Sequence, residues 1–140
     1  MSQARAELNS LIDRSITTIT SDVTSIGDYA FYTCPLTEVN FPNATSIGGS
    51  AFYNCRALTE ANFPNVTSIG SSAFTYCRAL VRVNFPEVTY IRDNTFYDCR
   101  ALTEVNFPKV TYIGLRAFSG CKSIKYFDMS EVAKVPTLGY

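Results

Sequence analysis

Phe31, Phe52, Phe74, Phe96 and Phe118 recur at a step of 22 residues, with one step of 21, and three residues after each comes Cys34, Cys55, Cys77, Cys99 or Cys121. Pro42, Pro64, Pro86 and Pro108 keep the same step, as do Ile26, Ile47, Ile69, Ile91 and Ile113. The one short step falls beside Pro35, where the chain reads Cys-Pro-Leu in place of Cys-Arg-Ala-Leu. A unit of this length buries too little apolar surface to offset the conformational entropy it loses on ordering. It is stable only when stacked on its neighbours, so the period admits a solenoid and little else.

Within each unit the pattern predicts a circuit. Val39 and Phe41, Ala61 and Phe63, Val83 and Phe85, Val105 and Phe107, and Phe127 and Met129 alternate with polar residues, as in a strand with one wet face. Proline follows at once and stops the strand, because it has no N–H for a ladder. A second extended piece of the form Val-Thr-x-Ile leads to Gly27, Gly48, Gly70 and Gly114, which suit a positive-φ corner; Arg92 interrupts that column. Ala-Phe-x-x-Cys then places Phe and Cys on the inner side of a helical or 3₁₀ turn. The spacing L-x-x-V-x-F predicts a leucine-rich-repeat solenoid: a right-handed coil with a parallel β-sheet on one face and short strands with 3₁₀ turns on the other.

The ends depart from this pattern. Leu8, Leu11 and Ile12 lie at helical spacing, so residues 1–25 are predicted to hold an N-terminal capping helix, from Ser2 to about Asp13, and an imperfect opening repeat. The regular repeats occupy residues 26–135, and residues 136–140 read as an incomplete C-terminal end. Such an edge would expose unpaired strand groups, which suggests docking to further repeats or to a second copy.

Composition narrows the chemistry. Twelve Lys plus Arg balance twelve Asp plus Glu, leaving no net field to attract nucleic acid. No run approaches the roughly 20 apolar residues of a membrane span, and the N-terminus lacks the apolar core of a secretion signal. With no histidine in the chain, serine-triad and Cys-His catalysis are excluded, as are most mixed zinc sites. No cofactor or metal is expected. The five cysteines share one inward position and cannot all pair, so they are expected to be buried, free and structural.

Ile69-Gly70-Ser71-Ser72-Ala73-Phe74-Thr75-Tyr76-Cys77-Arg78-Ala79-Leu80, continuing to Val83, Phe85 and Pro86, resembles the unit of the BspA-like, or treponemal-type, leucine-rich repeats. The likeness extends from about Ile26 to Val135. Arg92 replaces Gly, Thr95 replaces Ala, and Phe or Met stands where the family commonly has Leu. The resemblance implies a non-enzymatic interaction scaffold that binds a protein or glycan at a cell- or phage-associated surface, with no family-wide catalytic residue. Cell-surface or extracellular localisation follows from the resemblance alone.

Two sets of exposed positions are candidates for contact. On the sheet, expected to be the concave face, Glu38, Glu60, Arg82, Glu104 and Tyr126 form one column, and Asn40, Asn62, Asn84, Asn106 and Asp128 the next. Arg82 between two glutamates favours in-register pairing and Asn can build an amide ladder, so both columns also have a structural explanation. Arg56, Arg78, Arg100 and Lys122 form a basic column after the cysteines that suits an acidic glycan or phosphate, and equally a solvated loop edge. Tyr53, Tyr76, Tyr90, Tyr97 and Tyr112 place aromatic rings on the outer circuit, where they either pack between turns or anchor a ligand. Asn43-Ala44-Thr45 and Asn65-Val66-Thr67 match glycosylation acceptors but arise from one repeated string.

Overall fold

A computed structural model describes residues 17–128. The predicted N-terminal helix and the 136–140 end lie outside them. In chain order the strands are β1 (Thr18–Thr20), β2 (Ser25–Ile26), β3 (Glu38–Asn40), β4 (Ser46–Ile47), β5 (Glu60–Asn62), β6 (Ser68–Ile69), β7 (Arg82–Asn84), β8 (Tyr90–Ile91), β9 (Glu104–Asn106), β10 (Tyr112–Ile113) and β11 (Tyr126–Asp128). Odd-numbered strands stack in parallel on one face and even-numbered strands on another. The result is the parallel β-solenoid that the period requires.

The recurring apolar residues point into the coil. Phe31, Phe52, Phe74, Phe96 and Phe118 are buried and stack face to face at 5.2–5.4 Å between ring centroids. Phe41, Phe63, Phe85 and Phe107 form a second buried file, tilted against the first. Leu36, Leu58, Leu80 and Leu102 close the core beside the cysteines. The side chains alternate along each strand as predicted: Ala61, Val83 and Val105 face inward and are paired in register, while their flanking residues face solvent.

The expected helical or 3₁₀ turn is a different structure. Ala30 N–H donates to Gly27 O, Tyr32 N–H to Tyr29 O and Cys34 N–H to Phe31 O, giving overlapping β-turns rather than a helix. The amides between them, those of Tyr29, Phe31 and Thr33, donate to Gly49, Ala51 and Tyr53 of the next coil. Alternating bonds of this kind require left-handed residues at set intervals. They fall at Tyr29, Ser50, Ser72, Asn94 and Arg116, and at Thr33, Asn54, Tyr76, Asp98 and Gly120.

That corrects the glycine column as well. Positive φ falls two residues after Gly27, Gly48, Gly70 and Gly114, not on them. Three of these glycines are needed for close approach instead: a Cβ on Gly48 would lie 2.5 Å from Asp28 N, one on Gly114 would lie 2.6 Å from Asp93 N, and one on Gly70 would strike the backbone of Gly48 and Gly49.

Each ladder lapses once. The odd-strand sheet runs β5, β7, β9, β11, with β1 and β3 paired separately; the even-strand sheet runs β2, β4, β6, with β8 and β10 paired separately. The β6/β8 break coincides with Arg92. At Gly48, Gly70 and Gly114 a Cβ would meet the backbone of the preceding coil within 2.7 Å, and Arg92 carries a side chain at that position. At the β3/β5 break the Phe41–Phe63 centroids are 6.2 Å apart, against 5.4 Å for Phe63–Phe85. The shortened Cys34-Pro35-Leu36 connection leads into β3, and Ala61 offers Val39 a smaller neighbour than the valines of later coils.

Candidate functional site

On the odd-strand face the predicted columns form two side-chain files. Arg82 Nη1 donates to Glu60 Oε1 at 2.8 Å, and its Nε donates to Glu104 Oε2 at 3.2 Å. All three side chains are more than half exposed, so this network adds little stability and chiefly fixes register. Asn84 Nδ2 donates to Asn62 Oδ1 at 2.8 Å and Asn106 Nδ2 to Asn84 Oδ1 at 2.5 Å. The backbones of Tyr126 and Asp128 pair with Glu104 and Asn106 and extend the register.

Glu38 and Asn40 are set apart from these files by the break between β3 and β5. The two sides of the break enclose a groove of about 430 Å³, lined by β1, β3, Glu60 and Asn62. Among the described residues lining it, Glu38 has no positively charged neighbour: the in-phase residue of the next coil is Glu60, whose carboxylate is drawn to Arg82. The groove therefore presents the exposed carboxylates of Glu38 and Glu60 beside the amides of Asn40 and Asn62. Sequence columns could not reveal it, because Glu38 and Asn40 are in phase with later repeats; the only signal was the missing residue beside Pro35.

The basic column is less cationic than its sequence suggests. Arg78 donates through Nε and Nη2 to Asp98 Oδ2, at 3.1 and 3.0 Å, while Arg100 Nε donates to Asp98 Oδ1 at 3.1 Å. Burial alone would raise the Asp98 carboxyl, but the hydrogen bonds and charges of Arg100 and Arg78 outweigh it and hold the group below the ordinary carboxylate range. Arg56 Nε donates to Asn54 Oδ1 at 2.7 Å, and Lys122 is exposed. Asp98 was missed in the sequence. Its signal was a carboxylate in the left-handed column just before Cys99, within reach of arginines in its own coil and the preceding one.

The cysteines are free and buried. The thiols of Cys55, Cys77, Cys99 and Cys121 donate to Phe31, Phe52, Phe74 and Phe96 carbonyls, each at 3.1 Å. Burial pushes Cys55 up to about 12 and raises Cys77 and Cys99 as well, so these three are not poised as thiolate nucleophiles. Among the described residues no group of three or more His, Cys, Asp or Glu could hold a metal ion. Nor is any described helix long and apolar enough to cross a membrane.

The tyrosines divide between two faces. Tyr90 and Tyr112 stack at 4.5 Å on the even strands, with the Arg92 guanidinium 5.3 Å from the Tyr90 centroid. Tyr32, Tyr53, Tyr76 and Tyr97 form a chain of ring contacts across the turns. In the second candidate acceptor, Asn65 Nδ2 is used to donate to Pro42 O of the preceding coil.

The sequence profile of the BspA type leucine rich repeat region matches residues 11–137 in 6 copies. No curated protein matches the chain. Among solved structures, a leucine-rich repeat protein from Bacteroides ovatus is 26% identical, with a TM-score of 0.59, over 86% of this chain and 42% of that one. A leucine rich cell surface protein from Faecalibacterium prausnitzii is 25% identical, with a TM-score of 0.55, over 89% of this chain and 48% of that one. The T. pallidum leucine rich repeat protein shares the fold at 20% identity and a TM-score of 0.55, over 77% of this chain and 78% of that one. The chain thus spans less than half of the B. ovatus and F. prausnitzii proteins.

Proposed function

Because the chain belongs to the BspA-type leucine-rich repeat family, we propose that it is a non-enzymatic interaction scaffold that binds a protein segment through its odd-strand face. Repeat proteins of this kind present a regular, rigid surface, and binding to it costs little ordering of the scaffold. The observation that carries the reading is the groove at the β3/β5 break. Along β5, β7 and β9 the Glu60, Arg82 and Glu104 charges and the Asn62, Asn84 and Asn106 amides satisfy one another. At the groove, Glu38 and Asn40 do not take part in those files, and Glu38 lines the same groove as Glu60, whose carboxylate is already bonded to Arg82. A segment bearing Lys or Arg would supply the missing countercharge. The setting we infer is adhesion at a cell surface, on the likeness to the F. prausnitzii cell surface protein.

Selection of a displayed peptide library against the full chain tests the groove directly. Enriched peptides should carry Lys or Arg and should lose binding at least tenfold when Glu38 and Glu60 are both changed to Lys, a loss of about 1.4 kcal/mol or more. Changing Lys109, which pairs with Glu87 away from the groove, should have no effect. Peptides that bind the charge-reversed chain equally well would move the interaction surface elsewhere.

A further inference from the structure

The turn face contains a second site of different chemistry. Tyr32, Tyr53, Thr75, Tyr97 and Ser119 occupy equivalent positions in successive coils, one residue after each core phenylalanine. Thr75 interrupts the aromatic file between Tyr53 and Tyr97. Its side chain turns inward, is 4% exposed, and donates from Oγ1 to Asn94 O. Beside it a cleft of about 280 Å³ is lined by Tyr53, Thr75, Tyr76 and Tyr97.

Tyr76 enters this cleft from the neighbouring position. Its ring lies 5.5 Å from Tyr53 at 79° and 5.8 Å from Tyr97 at 78°, so the three phenols form one edge-to-face wall. Arg116 and Asn94 complete the lining. Arg116 is exposed and pairs with no carboxylate among the described residues, whereas nearby Arg78 is committed to Asp98. The Asn94 side-chain amide likewise has no hydrogen-bond partner among the described residues.

We propose that this cleft binds one carboxylated sugar ring, a uronic-acid type of residue. Aromatic walls suit the C–H face of a pyranose, phenol and amide groups suit its hydroxyls, and one unpaired guanidinium suits one carboxylate. A single uncommitted cation among the described lining residues matches a monoanion better than a phosphate dianion. The volume lies just below the roughly 300–1,000 Å³ of common ligand pockets, which fits one ring and not a chain. This site is on a different face from the strand groove and does not rest on that reading.

Galacturonate, galactose and acetate, titrated into the full chain and followed by amide NMR shifts and by tyrosine fluorescence, separate the contributions of ring and charge. The chain contains no tryptophan, so its fluorescence reports tyrosines. Galacturonate should shift the Asn94, Tyr97 and Arg116 amides saturably, with galactose and acetate each much weaker. Arg116→Gln, at an exposed position, should weaken galacturonate binding about tenfold. Thr75→Tyr, the residue that equivalent coils already carry, should abolish it by filling the cleft. Changing Glu38 and Glu60 should leave it intact. Absence of saturable shifts with galacturonate, an equal response to galactose or acetate, or unchanged affinity in Arg116→Gln would each overturn the proposal.

Discussion

The glycine column shows how far a single residue type can mislead. Gly114 recurs in phase with the coil, as a corner glycine would, yet its role is spatial: the missing Cβ lets its Cα approach Asp93 N. Gly114→Ala should therefore destabilise the fold by about 1–3 kcal/mol through overpacking against backbone. Gly49→Ala, whose added carbon would come no closer than 3.5 Å to its nearest neighbour, should unfold close to the parent in the same urea titration. The cysteines give a residue-scale test in pH. Burial raises the thiol pKa of Cys55, Cys77 and Cys99, so the folded chain holds protons that the unfolded chain releases. Their contribution is complete below the unfolded thiol value of about 8.5 and is lost as pH rises from there towards the folded values. Urea midpoints should fall steadily above that pH, and the fall should lessen in Cys77→Ala once its own cavity cost is subtracted as a constant offset.

At the scale of elements, what was legible was whatever the period enforces. The odd strands, their inward Val and Phe, the Phe and Cys files, and the register of Glu60, Arg82 and Glu104 all follow from side chains alternating in a repeated circuit. The turn after each even strand was not legible, because Ala-Phe-x-x-Cys fits both a 3₁₀ turn and overlapping β-turns. Only backbone bonding to the next coil decides between them, and left-handed Tyr29, Thr33 and Arg116 are not residues that advertise positive φ. The ladder breaks were half legible. Arg92 stood out from its column, but its consequence, the parting of β6 from β8, depended on how closely the other glycines approach. Gly48, Gly70 and Gly114 amides donate to Ile26, Ile47 and Ile91 carbonyls at 2.7 Å, and Thr111 N–H donates to Thr89 O at 2.8 Å; the Arg92 and Thr89 amides make no such bonds. Arg92→Gly should restore both. Two backbone hydrogen bonds at about 1 kcal/mol each are nearly offset by the loss of an exposed cation–π contact of about 0.5–1 kcal/mol and the glycine entropy of about 0.5–1 kcal/mol. Melting temperature will hardly register the change. Hydrogen exchange will: the residue 89 and 92 amides should slow towards the rate of Thr111, and unchanged exchange would mean that the coils are held apart by something other than the arginine.

For the whole molecule, stability resides in the interfaces between coils, since each coil makes its hydrogen bonds and ring stacks mainly with the one before and the one after. Phe74 is the point where this dependence is greatest. It stacks on Phe52 at 5.2 Å and on Phe96 at 5.4 Å, packs against Phe63 and Phe85, and has the β3/β5 break on one side of its coil and the β6/β8 break on the other. Both breaks remove ladder bonds from that coil, so the aromatic files bear more of its coupling to either neighbour. Phe31, near the start of the described coils, stacks along its file on Phe52 alone. Phe74→Ala should cost about 3–5 kcal/mol, and because coupling in a solenoid passes only between nearest neighbours, it should also divide the cooperative unit. Urea unfolding of the parent is then expected as one transition. The Phe74→Ala chain should instead show two, with amides around Phe31 and around Phe118 exchanging independently and a reduced m-value for each step. Phe31→Ala should lower the midpoint while leaving a single transition. A single transition of full m-value in Phe74→Ala would show that the coils communicate beyond their nearest neighbours, and that the two ladder breaks do not weaken the stack where the aromatic files cross them.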